Sequence, residues 1–165
     1  GEQELGMRAG TENVPAVLAM VRALENRAAS GVSDPEGRWR DAFEEKLRAA
    51  FGGEVVLHGE AAPRIWNTSS LALPSMSGPR WIAKLDRRGF AVSSGSACST
   101  GRDGPSPVLA AMGVPEETAR RTLRVSSGWE TTAEDWEALA EAIIALYEEG
   151  DNEAGRGGSM VIDLS

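Results

Sequence analysis

One thiol, one imidazole and a few arginines are the groups of this chain whose types and positions point to chemistry. Cys98, the single cysteine, sits in the run S-S-G-S-A-C-S-T-G over residues 93–101. A lone cysteine is most often a small buried hydrophobe. The flanking Ser93, Ser94, Gly95, Ser96, Ala97, Ser99, Thr100 and Gly101 offer no apolar wall for a sulfur. An exposed thiol on a glycine-loosened loop is a liability unless something uses it. Arg102 and a helix start near Pro105 would favour the thiolate, the nucleophilic form.

Spacing narrows the thiol chemistry. A phosphatase-type loop needs an arginine six positions after the cysteine, where this chain has Gly104. A thiol hydrolase needs a histidine base. The single candidate, His58, follows an apolar stretch and precedes Gly59, a setting that reads as a surface turn or sheet edge. A metal site needs three or four clustered ligands, and one cysteine with one histidine falls short, so no resident metal is expected. The remaining reading is a sulfur that moves between other groups.

Two further features carry polar chemistry. In G-M-R-A-G-T-E-N-V-P, residues 6–15, Arg8, two glycines and Thr11 precede a helix start, where free N–H groups and a hydroxyl can receive a phosphate; the same residues also suit a plain turn and capped helix. Arg124, in T-L-R-V-S-S-G, lies between Leu123 and Val125 in a short strand. Its guanidinium could grip a carboxylate through two parallel hydrogen bonds or make a structural ion pair.

The elements that must position these groups alternate between amphipathic helices and short strands. Val14, Val17, Leu18, Val21, Leu24 and Ala28 predict a helix over 14–29, with Asn13 as its cap and Pro15 in its first turn. Asp34-Pro35 opens a second helix, with Trp39, Phe43 and Leu47 on one face, ending at Gly52-Gly53. Strands are predicted at 54–57 and 65–73, the second with Ile65, Asn67, Ser69, Leu71 and Leu73 on one side, and a brief one at Phe90–Val92. Trp81, Ile82 and Leu85 mark a short helix ended by Gly89, and Pro105 starts another carrying Val108, Leu109 and Met112. Thr122–Ser126 reads as a strand, and Thr132 with Asp135 as the capping box of a last helix with Trp136, Leu139, Ile143 and Leu146 in one stripe. A polar, glycine-rich tail follows from Gly150. Few, short and unevenly separated strands favour an α+β arrangement with antiparallel pairing.

The composition bounds the rest. A chain of 165 residues supports one compact unit. Its net charge of −8 argues against a nucleic-acid footprint and against binding an anionic membrane. No apolar run approaches the roughly 20 residues of a membrane span. One cysteine makes no internal disulfide, which points to a reducing, cytoplasmic setting. Gly1 stands where a Met would begin a complete protein, so the chain is expected to start inside a longer one.

In order along the chain, G-E-Q-E-L-G-M-R-A-G-T-E-N-V-P, R-I-W-N-T-S-S, V-S-S-G-S-A-C-S-T-G, S-P-V-L-A-A-M-G and L-R-V-S-S-G followed by T-T resemble the C-terminal portion of the cysteine desulfurases. These are pyridoxal-phosphate enzymes of the class V aminotransferase group. The resemblance implies the small α+β domain of a type I aminotransferase fold, with a short, mostly antiparallel sheet and flanking helices. In these terms residues 1–13 would end the large domain, 14–30 form the connecting helix, 31–149 the small domain, and 150–165 a mobile tail. It implies conversion of L-cysteine to L-alanine with a persulfide passed to an iron–sulfur scaffold or another sulfur acceptor, in a homodimer. Cys98 would become the persulfide and be at most a transient iron–sulfur ligand, Arg124 would hold the substrate carboxylate, and Thr11 would contact the cofactor phosphate across the dimer. The lysine that binds the cofactor lies upstream of the matching segment in that family. This chain has only Lys46 and Lys84, in other contexts, so it is expected to be inactive alone. Trp129-Glu130 also departs from the arginine and aromatic more usual there. A stand-alone persulfide carrier or interaction module is the alternative, and a non-catalytic relative serving dimerisation a third reading.

Overall fold

The computed structural model describes residues 3–7, 9–29, 37–94 and 106–156. Arg8, Cys98, Arg102 and the expected helix start at Asp34-Pro35 lie outside the described residues. The chain divides into two compact units, Gly1–Asp34 and Pro35–Ser165.

In the first unit a 3-10 turn, Gln3–Gly6, precedes helix α1, Val14–Ala29. Asn13 caps α1 as its sequence predicts: its Oδ1 accepts the Ala16 N–H at 3.2 Å. The apolar stripe Val14, Val17, Leu18, Val21 and Leu24 forms at helical spacing, yet each member is 41–63% exposed.

The second unit runs α2 (Gly37–Phe51), β1 (Val56–Leu57), β2 (Thr68–Ala72), α3 (Gly78–Asp86), β3 (Ser93–Ser94), α4 (Pro107–Ala111), α5 (Glu116–Arg120), β4 (Thr122–Ser126) and α6 (Ala133–Arg156). The four strands form one sheet in the order β1-β2-β4-β3, and all three pairings are antiparallel.

The core lies where α2 and α6 meet the sheet. Leu57, Leu71, Leu73, Leu123 and Val125 pack with Phe43, Leu47 and Phe51 of α2 and Trp136, Leu139, Ile143 and Leu146 of α6. Edge-to-face ring pairs join the layers, Phe43 with Trp136 at 5.1 Å and Phe51 with Tyr147 at 4.8 Å. The Thr132 N–H donates to Asp135 Oδ2 at 2.8 Å while the Asp135 N–H donates back to Thr132 Oγ1 at 3.3 Å, which is the anticipated capping box. Charged groups of α2 are drawn in as well, Arg40 and Glu44 among them. Glu44 of α2, 4% exposed, accepts both arms of the Arg64 guanidinium at 2.7 and 2.9 Å and the Ser69 hydroxyl at 2.7 Å. The pair fastens α2 to the approach to β2 and lifts the Arg64 pKa through the hydrogen bond to Glu44.

Several elements differ from the sequence reading. The strand expected at 54–57 is shortened to Val56–Leu57, because Gly52–Glu54 form a 3-10 turn. β2 begins at Thr68 rather than residue 65, because the Ile65 carbonyl accepts Arg40 Nη1 at 2.5 Å and its side chain is 66% exposed. The strand expected at Phe90–Val92 is Ser93–Ser94 instead. The Phe90 N–H is tied back to the Leu85 carbonyl at 3.0 Å, and Phe90 and Val92 pack against the core in place of pairing with a strand. The last helix continues through Gly150 to Arg156, into the segment read as tail. A single glycine weakens a helix by only about 1 kcal/mol and is a poor stop on its own.

α3 is set close against the sheet through Gly78, where a Cβ would lie 3.0 Å from the Thr122 carbonyl oxygen and 3.4 Å from Ser94 Cβ. That contact brings β3, the strand leading toward Cys98, beside β4.

Candidate functional site

Alternation along the strands decides which groups face away from the core. In β4, Leu123 and Val125 are buried in it, so Thr122, Arg124 and Ser126 point to the opposite face. The register pairs Arg124 with Ser70 of β2 on one side and with Ser93 of β3 on the other. Beyond β1, the His58 N–H donates to the Ser70 carbonyl at 2.8 Å, which extends the row by one residue. His58, Ser70, Arg124 and Ser93 therefore lie in line across four strands, about 4.8 Å apart at each step.

A pocket of about 240 Å³ opens on this face, lined by His58, Ser70, Ser106, Val108, Leu109, Met112 and Arg124. Its charged group is Arg124, exposed and with no carboxylate in contact among the described residues. A guanidinium left in that condition beside apolar walls is suited to a small anion with planar, paired acceptors, such as a carboxylate. The structural ion pair that the sequence also allowed is absent among the described residues.

His58 lies in the turn that follows the edge strand β1, as its setting in the sequence suggests, but it is buried there, 7% exposed. Its Nε2 lies 3.0 Å from Thr122 Oγ1. The one proton of that hydroxyl goes to the Thr118 carbonyl at 2.9 Å. The network therefore assigns the proton between them to the imidazole, so Nε2 donates and Nδ1 carries the lone pair. Burial, reinforced by the positive charge of Arg121, holds the His58 pKa below the ordinary 6.5, and the ring is neutral at physiological pH.

The sequence singled out Arg124 but not its neighbours. The sequence reads His58 as a surface turn or sheet edge, which gives its place but not its burial, and Ser70 and Ser106 carry no signal. The available signal was register: His58 follows Leu57 as Arg124 follows Leu123, so both fall on the face turned from the core. Thr11 is exposed on the approach to α1 in the first unit, where Gly10 takes a positive φ of 95°. Both lysines lie elsewhere. Lys46 of α2 is gripped by Glu137 and by Glu141 at 3.3 Å, and the bond to Glu137 holds its pKa above the ordinary 10.5. Lys84 occupies the last turn of α3. Neither lines the Arg124 pocket. Among the described residues no group of three His, Cys, Asp or Glu side chains is placed to hold a metal, and no helix is long and apolar enough to cross a membrane.

The chain is 41% identical over 135 residues to the cysteine desulfurase of Rhodobacter capsulatus, a match covering 81% of this chain and 35% of that protein. It is 35% identical over 142 residues to the selenocysteine lyase of Xenopus laevis, covering 82% and 33%. A solved NifS-like protein from Rickettsia africae superposes with a TM-score of 0.71 at 27% identity, over 90% of this chain and 38% of that one. The chain thus spans about a third of the length of the curated relatives it matches. The profile described as aminotransferase class-V matches residues 1–139, and with the fold shared as well, the chain belongs to the class-V aminotransferase family.

Proposed function

We propose that this chain is the C-terminal portion of a cysteine desulfurase, supplying the group that holds the substrate carboxylate and the thiol that receives sulfur. The observation that carries this reading is the Arg124 guanidinium, which has no carboxylate partner among the described residues and borders a pocket sized for a small ligand. The resemblance assigns the substrate carboxylate to this residue. In this role Arg124 fixes one end of L-cysteine by two hydrogen bonds, and Val108, Leu109 and Met112 keep water from its aliphatic carbons. The Cys98 thiolate attacks the sulfur of L-cysteine, so the persulfide S–S bond forms as the substrate's Cβ–S bond breaks and its electron pair stays on carbon, which is protonated to L-alanine. An acceptor thiolate, on an iron–sulfur scaffold or a thiolation protein, then takes the outer sulfur and releases Cys98 as thiolate.

The family's cofactor is pyridoxal phosphate, which supplies an electron sink for reactions at an amino acid's α-carbon. The residues of this chain do not fit it by themselves. A cofactor-binding lysine must be neutral when it attacks, usually through desolvation, whereas Lys46 is locked as a cation by two glutamates and Lys84 is away from the pocket. The reaction at the α-carbon therefore falls to residues outside this chain, with residues 1–13 ending the large domain, 14–30 connecting, 31–149 forming the small domain, and Thr11 contacting the phosphate across a homodimer in the cytoplasm.

Two experiments test the reading. The coding DNA upstream of Gly1 should encode a His-Lys pair within about one domain length, 100–200 residues; an upstream region without one overturns the assignment. Mixed with pyridoxal phosphate and reduced with borohydride, the chain should show no cofactor mass on Lys46 or Lys84, and a stoichiometric adduct on either contradicts it. The persulfide-carrier alternative predicts that a separate desulfurase with L-cysteine labels Cys98 with an extra sulfur, visible by mass spectrometry.

A further inference from the structure

Most cations of the second unit are held in place. Arg40, Lys46, Arg48, Arg64, Arg88 and Arg120 each meet a carboxylate. Arg80, Lys84 and Arg87 meet none among the described residues, although the chain carries a net charge of −8. Arg80 and Arg87 are exposed and Lys84 is half-buried. At about 100° per residue the three fall within an arc of roughly 60° on α3 and rise over about 10 Å, Arg87 continuing the helical backbone as the C-cap. This stripe lies on the side turned from Trp81 and Leu85, which are buried in the core. Asp86, the one carboxylate of α3, is roughly 130° away round the helix.

The needs of the helix do not account for the stripe. Lys84 and Arg87, at its C-terminal end, suit the negative pole of the helix dipole. Arg80 opposes the dipole, because it lies in the first turn, which holds no acidic residue. Its position gives access as well. Trp81 and Leu85 join the core that α2 and α6 form on one face of the sheet, so the stripe faces outward from that layer, and a group bound on the Arg124 face leaves it open. The start of α3 touches the strand that leads to Cys98, since a Cβ on Gly78 would lie 3.4 Å from Ser94 Cβ. A protein face of standard size, about 800 Å² per partner, covers a patch roughly 32 Å across. One partner can therefore lie on the stripe and reach β3 at the same time.

Resting on the reading of Cys98 as the sulfur carrier, we infer that Arg80, Lys84 and Arg87 form the docking surface for the sulfur acceptor, which presents an acidic protein face to them. Three cations without counterions attract such a face, and the acidic remainder of the chain repels it. The stripe thus sets where the acceptor lands. A nucleic acid shares the negative charge but lays more of it against the acidic remainder.

The test uses the whole 165-residue chain and two synthetic peptides ending in a cysteine, one alternating Glu with Gly and the other Gln with Gly. Binding is followed through the amide NMR signals of the chain at about 10 mM salt, where charges act over roughly 30 Å, and at about 1 M, where they act over roughly 3 Å. At low salt the Glu peptide should bind about tenfold more tightly than the Gln peptide, the effect of three exposed ion pairs. It should shift the signals of residues 78–88 and lose its advantage at high salt. Arg80→Gln with Lys84→Gln and Arg87→Gln should abolish the advantage. Arg22→Gln with Arg38→Gln and Arg48→Gln, the same change in net charge, should keep it. The wild-type shifts and their salt dependence give the answer even if the first variant does not fold. For delivery, a separate desulfurase with L-cysteine loads Cys98 and is removed with its substrate. The peptide thiolate then takes the outer sulfur and leaves Cys98 as thiolate, and mass spectrometry should show the Glu peptide gaining sulfur about tenfold faster below saturation. Equal binding of the two peptides and equal delivery to them overturn the stripe and leave Cys98 standing as the carrier. Binding of the Glu peptide on α3 with no loading of Cys98 overturns the sulfur reading and, with it, the sulfur acceptor as the occupant. A single-stranded RNA of equal charge that binds α3 more tightly than the Glu peptide overturns the acidic protein face.

Discussion

Arg64→Met should be among the most damaging single substitutions outside the core aliphatics. It strips both guanidinium hydrogen bonds from Glu44, a carboxylate 4% exposed, and leaves it the Ser69 hydroxyl. Removing one member of a buried pair typically destabilises by about 3–5 kcal/mol. The Arg64 side chain is 19% exposed, so some water reaches the gap and the lower figure applies. For the unit Pro35–Ser165, about 130 residues, an unfolding entropy near 2.1 cal/mol/K per residue converts about 3 kcal/mol into a fall in Tm of roughly 11 °C. The double variant Arg64→Met with Glu44→Leu should recover most of that loss, because an apolar pair of similar volume is tolerated where a single charge is not. Urea denaturation of wild type, both single variants and the double variant closes the cycle. A loss below about 1 kcal/mol for Arg64→Met, or a double variant as unstable as the summed singles, would refute the argument that the charge of Glu44 is what Arg64 offsets.

Three other outcomes follow from named contacts. Gly78→Ala should destabilise by about 1–3 kcal/mol, since its methyl would press on the Thr122 carbonyl at 3.0 Å, and should shift the amide resonances of Ser94; an unchanged urea midpoint counts against that close approach. His58 has a pKa depressed by folding, so its contribution to stability is present above the ordinary 6.5 and disappears as pH falls through the lower folded value. Stability measured across that window should decline on acidification, less so in His58→Phe, and parallel curves for the two proteins would contradict this. Leu18→Gln with Leu24→Gln, both 63% exposed in wild type, should change the unfolding free energy from urea titration by less than about 0.5 kcal/mol while lowering binding of a hydrophobic dye; a loss well above that would contradict the exposure of this stripe.

What the sequence made legible follows the range over which each signal acts. Helix faces and caps are local, and Asn13, the Thr132–Asp135 box and the Trp136–Leu146 stripe all fell where their spacing put them. β4 was readable because Leu123 and Val125 alternate with polar residues. β3 was misplaced by a few residues because a two-residue strand has no period, and long-range pairing with Arg124 and Leu123 defines it. The same limit hid the site. Arg124 stood out by type, whereas Ser70 and Ser106 are ordinary residues given significance by register and by the position of α4. His58 falls at the sheet edge its setting suggests, and its burial was hidden because its partner Thr122 is 64 positions away.

The pairing of Ser93 with Arg124 and of Ser94 with Leu123 also sets a leash on the thiol of Cys98. Cys98 follows Ser94 by four residues, so at full extension its Cα is within about 14 Å of that anchor, while the arm back to Ser106 spans eight residues and twice the reach. The shorter arm sets the limit. In the proposed role, an acceptor must bring its own thiol inside a sphere centred on β3, one of the two edge strands of the sheet, whatever the composition of the longer arm. Residues inserted between Ser94 and Cys98 would enlarge that sphere by roughly 3.5 Å each, and the same residues inserted after Cys98 would leave its radius unchanged.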